Sequence, residues 1–224
     1  MGRKTLRHHI TQEFWNNEIS MYLDGKGFEY KQNPRDQARA PKACEWRKKS
    51  EGLNYGCTSK GKKEGCVNAN FMVAISFNKG VVLCEQYFGH ITGQKVADLI
   101  KEKFADAFKN SVNSLCKRIL MDGCPRQNSK VAVKAIEDIG GMIFRIPARS
   151  PDLNSIENFF NLITRKLQED AINFDINKES FVDFSERVKQ TMASYPIATI
   201  DNVILSMDKR IKQVLKKNGQ RIKY

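Results

Sequence analysis

The chain has no long hydrophobic run and no internal repeat, and its opening residues do not have the pattern expected of a secretory leader. None of its apolar stretches approaches the roughly 18 to 20 residues that a membrane-spanning helix needs. The opening residues, MGRKTLRHHITQEFW, lack the apolar core of a secretion signal. We therefore expect an intracellular protein with no membrane partner.

Cysteine and histidine do not occur in the patterns that bind zinc. The chain has six cysteines and three histidines, and no Cys-x-x-Cys pair. Cys44, Cys57 and Cys66 are grouped in a polar region, but their gaps of 12 and 8 residues match no known zinc finger. The sequence therefore favours reduced structural thiols over a zinc site.

Positive charge is in clear excess. Lys and Arg number 38 against 25 Asp and Glu, which gives a net charge of +13 and a pI near 9.5. In a chain with 41% hydrophobic residues, enough to form a core, this excess points first to a polyanionic partner such as nucleic acid.

The hydrophobic pattern predicts an α/β protein. Strands, a hairpin and helices alternate up to Pro147, and only helices follow Pro151. The expected elements are a strand at Ile19–Leu23, a hairpin turning at Asn78-Lys79-Gly80, a helix from Gln94 whose apolar face reaches Leu115, a strand at Arg118–Met121, a helix at Ser129–Asp138, a strand at Met142–Ile146, and helices at Leu153–Gln168, Lys178–Ser194 and Thr199–Leu215.

This order describes a ribonuclease-H-like fold: a mixed five-stranded sheet flanked by helices, with the first and fourth strands as neighbours. A long basic loop follows the first strand. Between Gly25 and Asn70 there are eleven Lys or Arg and five acidic residues with little periodicity, so we expect an insertion loop, 25–70, outside the core.

Three acidic residues are the candidates for chemistry. Asp24 and Asp122 each end an apolar run, and 34 residues separate Asp122 from Glu157. Taken singly they are weak, because Asp-Gly is a common turn and Glu157 could simply favour the start of a helix capped by Asp152 or Asn154. Brought together at one edge of the sheet, three carboxylates would bind divalent metal.

Several motifs resemble the mariner superfamily of cut-and-paste transposases. RSPDLNSIENFF resembles its SPDLNPIEN signature, LMDGCPRQNSK resembles its second-aspartate motif, and the 34-residue spacing matches one of its branches. FMVAISFNKGVVLCEQYFGHITGQKVADLI resembles the segment between the first two acids, and WRKKSEGL a basic motif in the loop. The resemblance covers nearly the whole chain and implies a DDE transposase that inserts at TA dinucleotides.

The resemblance implies roles for individual residues. Asp24, Asp122 and Glu157 would hold two Mg²⁺ or Mn²⁺ ions, with Asp24 bridging both. The partners would be double-stranded DNA, as transposon ends and target, and a second copy of the chain in a homodimer, in the nucleus. DNA contacts are expected from the basic loop, the region around the acids and the C-terminal tail, 209–224, namely from Trp46, Arg47, Lys48, Lys49, Arg126, Lys130, Arg149, Lys216, Lys217 and Arg221.

The family's domain organisation gives a further expectation. Residues 1–14 resemble the end of an interdomain linker, and residues 15–224 would form the catalytic domain. The N-terminal helix-turn-helix DNA-binding domains would be absent from this chain.

Three positions depart from the family pattern: Ser155 replaces a Pro, Gln127 replaces a His, and Cys124 replaces a small or acidic residue. The first acid also has an alternative, because WNNEIS can be aligned so that Asn17 takes the place of Asp24. That alignment would imply an inactive, domesticated module that binds DNA or assists assembly. Asp24 is preferred because it follows an apolar strand, whereas Asn17 precedes it.

Overall fold

A five-stranded sheet forms the centre of the protein in a computed structural model that describes residues 11–31, 66–147, 150–171 and 178–222. The strands are β1 (Met21–Lys31), β2 (Cys66–Ser76), β3 (Gly80–Tyr87), β4 (Arg118–Met121) and β5 (Met142–Arg145). Their order in the sheet is β3-β2-β1-β4-β5. β1, β2 and β3 pair antiparallel, whereas β4 and β5 run parallel to β1. The predicted mixed sheet, with the first and fourth strands adjacent, is confirmed.

Helices cover both faces of the sheet. The helices α1 (Gly93–Lys109) and α2 (Lys130–Asp138) pack on one face. The other face is covered by α3 (Ser155–Asp170), α4 (Phe181–Ala193) and α5 (Ile197–Leu205). In the described part of the chain no helix has the length and apolar content needed to span a bilayer. A further helix, α6 (Met207–Lys216), follows α5.

β1 is buried on both faces because its side chains alternate between two cores. Tyr22 and Phe28 belong to the core that contains Phe159 of α3, whereas Leu23 belongs to the core that contains Phe104 of α1. Burying a large apolar side chain stabilises a fold by about 1.5–3 kcal/mol. Packing from both sides therefore fixes the strand on which the first acidic residue stands.

The predicted hairpin between β2 and β3 is confirmed. Asn78 and Gly80 adopt positive φ angles of 57° and 74°, the conformation that Asn and Gly accept most readily. The backbone N–H of Asn78 donates a hydrogen bond to Asp201 Oδ1 over 2.8 Å, which ties the turn to α5.

The predicted boundaries of the first strand and the insertion loop are wrong. β1 does not end at Leu23 but continues to Lys31, which pairs with Cys66 at the start of β2. Phe28 is buried in the extension, and Tyr30 packs against rings of α4, so this segment belongs to the sheet. The rest of the predicted loop, residues 32–65, lies outside the described residues.

Two helix predictions also need correction. α1 ends at Lys109, and Leu115 lies in the following turns with 94% of its side chain exposed. The predicted helix Thr199–Leu215 is two helices, because the chain breaks at Ser206. The hydroxyl of Ser206 donates to the carbonyl of Val203 over 2.6 Å, a local bond that competes with helix continuation.

Candidate metal centre

The strand register places Asp24 level with Asp122. In the parallel pair of β1 and β4, Met21 is opposite Ile119 and Tyr22 is opposite Leu120. Continuing this register by two residues, past the last pair of the two strands, aligns Asp24 with Asp122, and the charge of Asp122 acts on Asp24. β4 ends at Met121, so Asp122 leaves the carboxyl end of its strand, whereas Asp24 lies within β1 and not at its end as predicted.

Glu157 reaches the same region from the first turn of α3. Asn154 caps this helix, since its side chain accepts a hydrogen bond from the backbone N–H of Ile156. Asp152, the other candidate for the cap, is fully buried and instead accepts from the backbone N–H of Ile222 over 3.1 Å. Glu157 therefore lies in the first turn of a capped helix, where its charge also favours the helix start, and this helix packs on β1.

The three carboxylates interact electrostatically. The pKa of Asp24 is raised from its usual value of 3.8 to about 7, chiefly by burial and further by the charges of Asp122 and Glu157, against the hydrogen bonds from Gly25 and Gln127, which lower it. Asp24 is only 8% exposed. A buried acid beside two like charges is a site that a cation would stabilise.

Hydrogen bonds orient the two aspartates. Asp24 Oδ1 accepts from the backbone N–H of Gly25 over 2.7 Å and from Gln127 Nε2 over 3.3 Å. No described residue donates to its other oxygen, Oδ2. Asp122 Oδ1 accepts from the backbone N–H of Cys124 over 2.8 Å. Each aspartate thus has one oxygen bound to the protein.

The donor set suits Mg²⁺ or Mn²⁺, because these hard cations prefer carboxylate oxygens. However, among the described residues no three His, Cys, Asp or Glu side chains lie close enough together to form a complete metal site. The negative charges of Asp122 and Glu157 repel that of Asp24. The prediction of a single cluster formed by Asp24, Asp122 and Glu157 therefore stays a prediction.

Asn17, the alternative first acid position, lies elsewhere. It is exposed in a short helical turn, Phe14–Glu18, that precedes β1. Its carbonyl accepts from Asn113 Nδ2 over 2.9 Å, in the segment before β4. Asp122 follows β4, so the structure brings Asp24 and not Asn17 beside it.

A family model now complements this geometry. Residues 21–175, more than half of the chain, match the model of the DDE superfamily endonucleases. The chain belongs to this family. The matched residues include β1 to β5, Asp24, Asp122 and Glu157. No curated protein matches the sequence.

Solved structures of Mos1 transposase share the fold of this DDE endonuclease chain. The Mos1 paired-end complex with the left transposon end matches with a TM-score of 0.65 and 13% identity, over 91% of this chain and 56% of that one. The Mos1 mariner paired-end complex with Mg matches with a TM-score of 0.64 and 12% identity, with the same coverage of 91% and 56%.

The catalytic domain of Mos1 mariner transposase matches with a TM-score of 0.59 and 11% identity, over 70% of this chain and 76% of that one. At these identities the likeness shows the fold. The family model and the shared fold together confirm the resemblance to a mariner-like DDE catalytic domain. The chain spans little more than half the length of the Mos1 chains in the paired-end complexes.

Two basic residues of the DDE endonuclease domain follow Asp122 in the chain, and one of them lies near the acids. Arg126 and Lys130 are exposed on the segment that follows Asp122. The positive charge of Arg126 acts on Tyr87, where it lowers a pKa that burial raises. The hydroxyl of Tyr87 lies 3.5 Å from the position that a Cβ on Gly25 would occupy. Arg126 is therefore close to the strand that carries Asp24.

The other predicted DNA contacts are divided between the C-terminal tail and undescribed segments. Lys216, Lys217 and Arg221 are exposed, but Arg210 in the same tail is only 5% exposed and therefore unavailable to DNA. Trp46, Arg47, Lys48, Lys49 and Arg149 lie outside the described residues, as do residues 1–10 of the predicted linker.

Sequence analysis missed two polar residues that shape the site of this DDE endonuclease. Gln127 is 3% exposed and contacts Asp24. The side chain of Asn128 donates to the carbonyls of Asp122 and Cys124, over 2.8 and 2.9 Å. The only sequence signal was the departure from the family's His at position 127. No local pattern marks Gln127, because both of its partners, Asp24 and Met72, are distant in the sequence.

Proposed function

We propose that this protein is the catalytic domain of a DNA transposase that cleaves DNA strands and transfers them to a new site. Cut-and-paste transposition into TA dinucleotides is the reaction we infer. The observation that carries the proposal is the placement of Asp24 level with Asp122, with Glu157 in electrostatic reach, in a DDE endonuclease chain. The fold shared with Mos1 transposase supports it.

Divalent metal belongs to this proposal. Asp24 would hold two Mg²⁺ or Mn²⁺ ions, and Asp122 and Glu157 would each hold one of them. When bound, the two ions would activate a water or a DNA 3′-hydroxyl for attack on the phosphodiester and stabilise the departing oxygen. The presence of Mg in one of the similar Mos1 complexes supports this choice of ion.

The residues around the acids prepare the site. The Gly25 N–H and Gln127 hold one oxygen of Asp24, so that Oδ2 would be left to bind a metal ion. The Cys124 N–H holds one oxygen of Asp122 in the same way. A histidine base is not required in this scheme, because the acids and their ions provide the proton-accepting environment.

DNA would lie across the basic side chains next to the acids. Arg126 and Lys130, which are exposed, would contact phosphates close to the cleavage point, and Lys216, Lys217 and Arg221 would extend the contact. We include Trp46, Arg47, Lys48, Lys49 and Arg149 as further contacts. We also propose action as a homodimer in the nucleus, with residues 15–224 as the catalytic domain and 1–14 as linker.

The test uses supercoiled plasmid DNA, because it requires no knowledge of the transposon ends. The protein should convert supercoiled plasmid to nicked circles with Mn²⁺ and not with EDTA. Asp24→Asn, Asp122→Asn and Glu157→Gln should each abolish nicking, while Asp106→Asn on the exposed side of α1 should not. Sequencing the junctions of joined products would test the TA preference.

The domesticated-module alternative makes the opposite prediction. Such a protein would bind the plasmid and shift it in a gel, yet leave it supercoiled at every Mn²⁺ concentration. Binding without metal-dependent nicking would therefore overturn the proposed function.

A further inference from the structure

Gln127 is a buried polar side chain in direct contact with the first acid. It is 3% exposed, and its Nε2 atom lies 3.3 Å from Asp24 Oδ1 and 3.9 Å from Met72 Sδ. Both acceptors lie on neighbouring strands, β1 and β2. The N–H groups of the Gln127 amide are thus directed at Asp24 and Met72.

The other end of the amide has no partner. Gln127 Oε1 is buried and accepts no hydrogen bond from the described residues. An unsatisfied buried polar atom costs about 1–3 kcal/mol, so an apolar side chain would suit this position better if only packing mattered. The amide is therefore explained by what its donor end does for Asp24.

The segment that carries Gln127 is itself held in place. Asn128 donates to the carbonyls of Asp122 and Cys124, and its own Oδ1 accepts from Arg145 Nε over 3.1 Å. Gln127 thus stands on a braced turn that begins at Asp122. It connects that turn with Asp24 on the adjacent strand.

The bonding pattern at Asp24 shows what this contact achieves. The Gly25 N–H and Gln127 Nε2 both point at Oδ1, and no described residue donates to Oδ2. Two donors on one oxygen fix the rotation of the carboxylate. The second oxygen is then held in one orientation, on a carboxylate that feels the charges of Asp122 and Glu157.

We infer that Gln127 is a positioning residue, which aligns the Asp24 carboxylate so that Oδ2 binds a divalent cation. The inference rests on the proposed function, because it assigns Asp24 as a metal ligand. It adds a residue from outside the acidic triad and assigns the role to one atom, Nε2 as the donor, whereas Oε1 is buried and accepts no hydrogen bond from the described residues. Groups that orient metal ligands affect metal affinity by about 10- to 100-fold.

The experiment measures Mn²⁺ binding to the whole chain without DNA, by calorimetry and by the EPR signal of free Mn²⁺. Gln127→Met keeps the length and volume of the side chain and removes the donor. Gln127→His restores a ring N–H at the same place. Gln86→Met is the matched control. Gln86, on β3, also donates a hydrogen bond from Nε2, but its acceptor is Ser185 Oγ of α4, over 3.2 Å, and not one of the three acids.

The inference predicts that Gln127→Met weakens Mn²⁺ binding by at least about 10-fold, while Gln127→His and Gln86→Met stay within about threefold of wild type. Melting temperatures without metal verify folding. If Gln127→Met does not fold, Gln127→Asn, whose amide is one methylene too short to reach Asp24, takes its place.

Two results would overturn the inference while leaving the metal site intact. One is unchanged Mn²⁺ affinity in Gln127→Met. The other is equal weakening in Gln127→Met and Gln127→His, which would show that packing and not the donor matters. A wild-type protein that binds no Mn²⁺ would instead refute the metal site of the proposed function, and the role of Gln127 with it.

Discussion

Arg210 donates a hydrogen bond from Nη1 to Asn158 Oδ1 over 3.2 Å. Asn158 is the residue that follows Glu157 in α3. The same Nη1 lies 3.4 Å from the carbonyl oxygen of Asp152, just before that helix. The buried guanidinium of α6 therefore braces the segment that presents the third acid, although it lies more than fifty residues away in the chain.

Arg210→Met should destabilise the fold by about 2–4 kcal/mol, because it removes hydrogen bonds made by a buried charged group. Urea denaturation measures this change. Lys212→Met on the same helix is the control: its side chain is 74% exposed, so its ion pair with Asp208 contributes little. Equal midpoints for the two variants would contradict the bracing role.

Metal-free stability should fall as the pH rises, because the pKa of Asp24 is raised to about 7 in the folded protein from 3.8. Between these values the folded state binds a proton that the unfolded state has lost, so stability decreases with pH until Asp24 is ionised. Each pKa unit corresponds to about 1.4 kcal/mol. Asp24→Asn removes this penalty.

The measurement is the free energy of unfolding in EDTA at pH 5 and pH 8. Asp24→Asn should gain about 2–3 kcal/mol over wild type between the two pH values. Asp106→Asn, at an exposed position of α1, should follow wild type. If the difference between Asp24→Asn and wild type does not grow with pH, Asp24 is not a buried acid of raised pKa.

The sequence predicted the sheet because its signals were local. The Asn78 and Gly80 turn, the capped start of α2 at Ser129 and the apolar run of β4 each specify their structure from neighbouring residues. Strand order then followed from connection rules, and placed Asp24 beside Asp122. The alternation of Phe28 and Tyr30 was also a local signal, but the surrounding Lys and Gly residues obscured it.

Features that depend on distant contacts were not predictable. The break at Ser206 has no Gly or Pro to mark it, and the serine hydroxyl also accepts from Arg210 Nε over 2.7 Å. Gln127 looks like a surface residue in a polar turn until the fold places it against Asp24 and Met72. Its contribution to the site arises only from tertiary structure.

Deleting Lys42 to Lys63 should leave the fold and Mn²⁺ binding intact. Lys31 and Cys66, the paired ends of β1 and β2, are adjacent, so a shorter connection can join the strands. We propose that this segment contacts the partner subunit or DNA, and we therefore expect the deletion to abolish assembly of two DNA ends. Once the transposon ends have been identified by selection from a random duplex library, light scattering of protein mixed with the end duplex measures the assembly.

Two outcomes would count against this role of the segment. An unfolded deletion variant would show that residues 42–63 are part of the core. Normal assembly of paired ends by a folded variant would show that they do not contact the partner or the DNA.

Binding to random duplex DNA should weaken steeply with salt, because phosphate contacts release counterions. Changing Lys216, Lys217 and Arg221 to Gln should reduce the slope of log affinity against log salt by about 2 to 3, at roughly 0.9 per contact. The control triple changes Lys79, Lys101 and Lys109, exposed lysines at the hairpin and on α1, to Gln with the same loss of charge. Equal slopes for the two triples would refute a specific phosphate surface on the tail.

The most direct test of the account is a crystal of the protein soaked in Mn²⁺ and measured for anomalous scattering. The account predicts manganese peaks bound by oxygens of Asp24, Asp122 and Glu157, with Asp24 Oδ2 among the ligands. The same soak of Glu157→Gln should lose occupancy. Manganese bound elsewhere, or a soaked crystal without manganese between Asp24 and Asp122, would contradict the central claim.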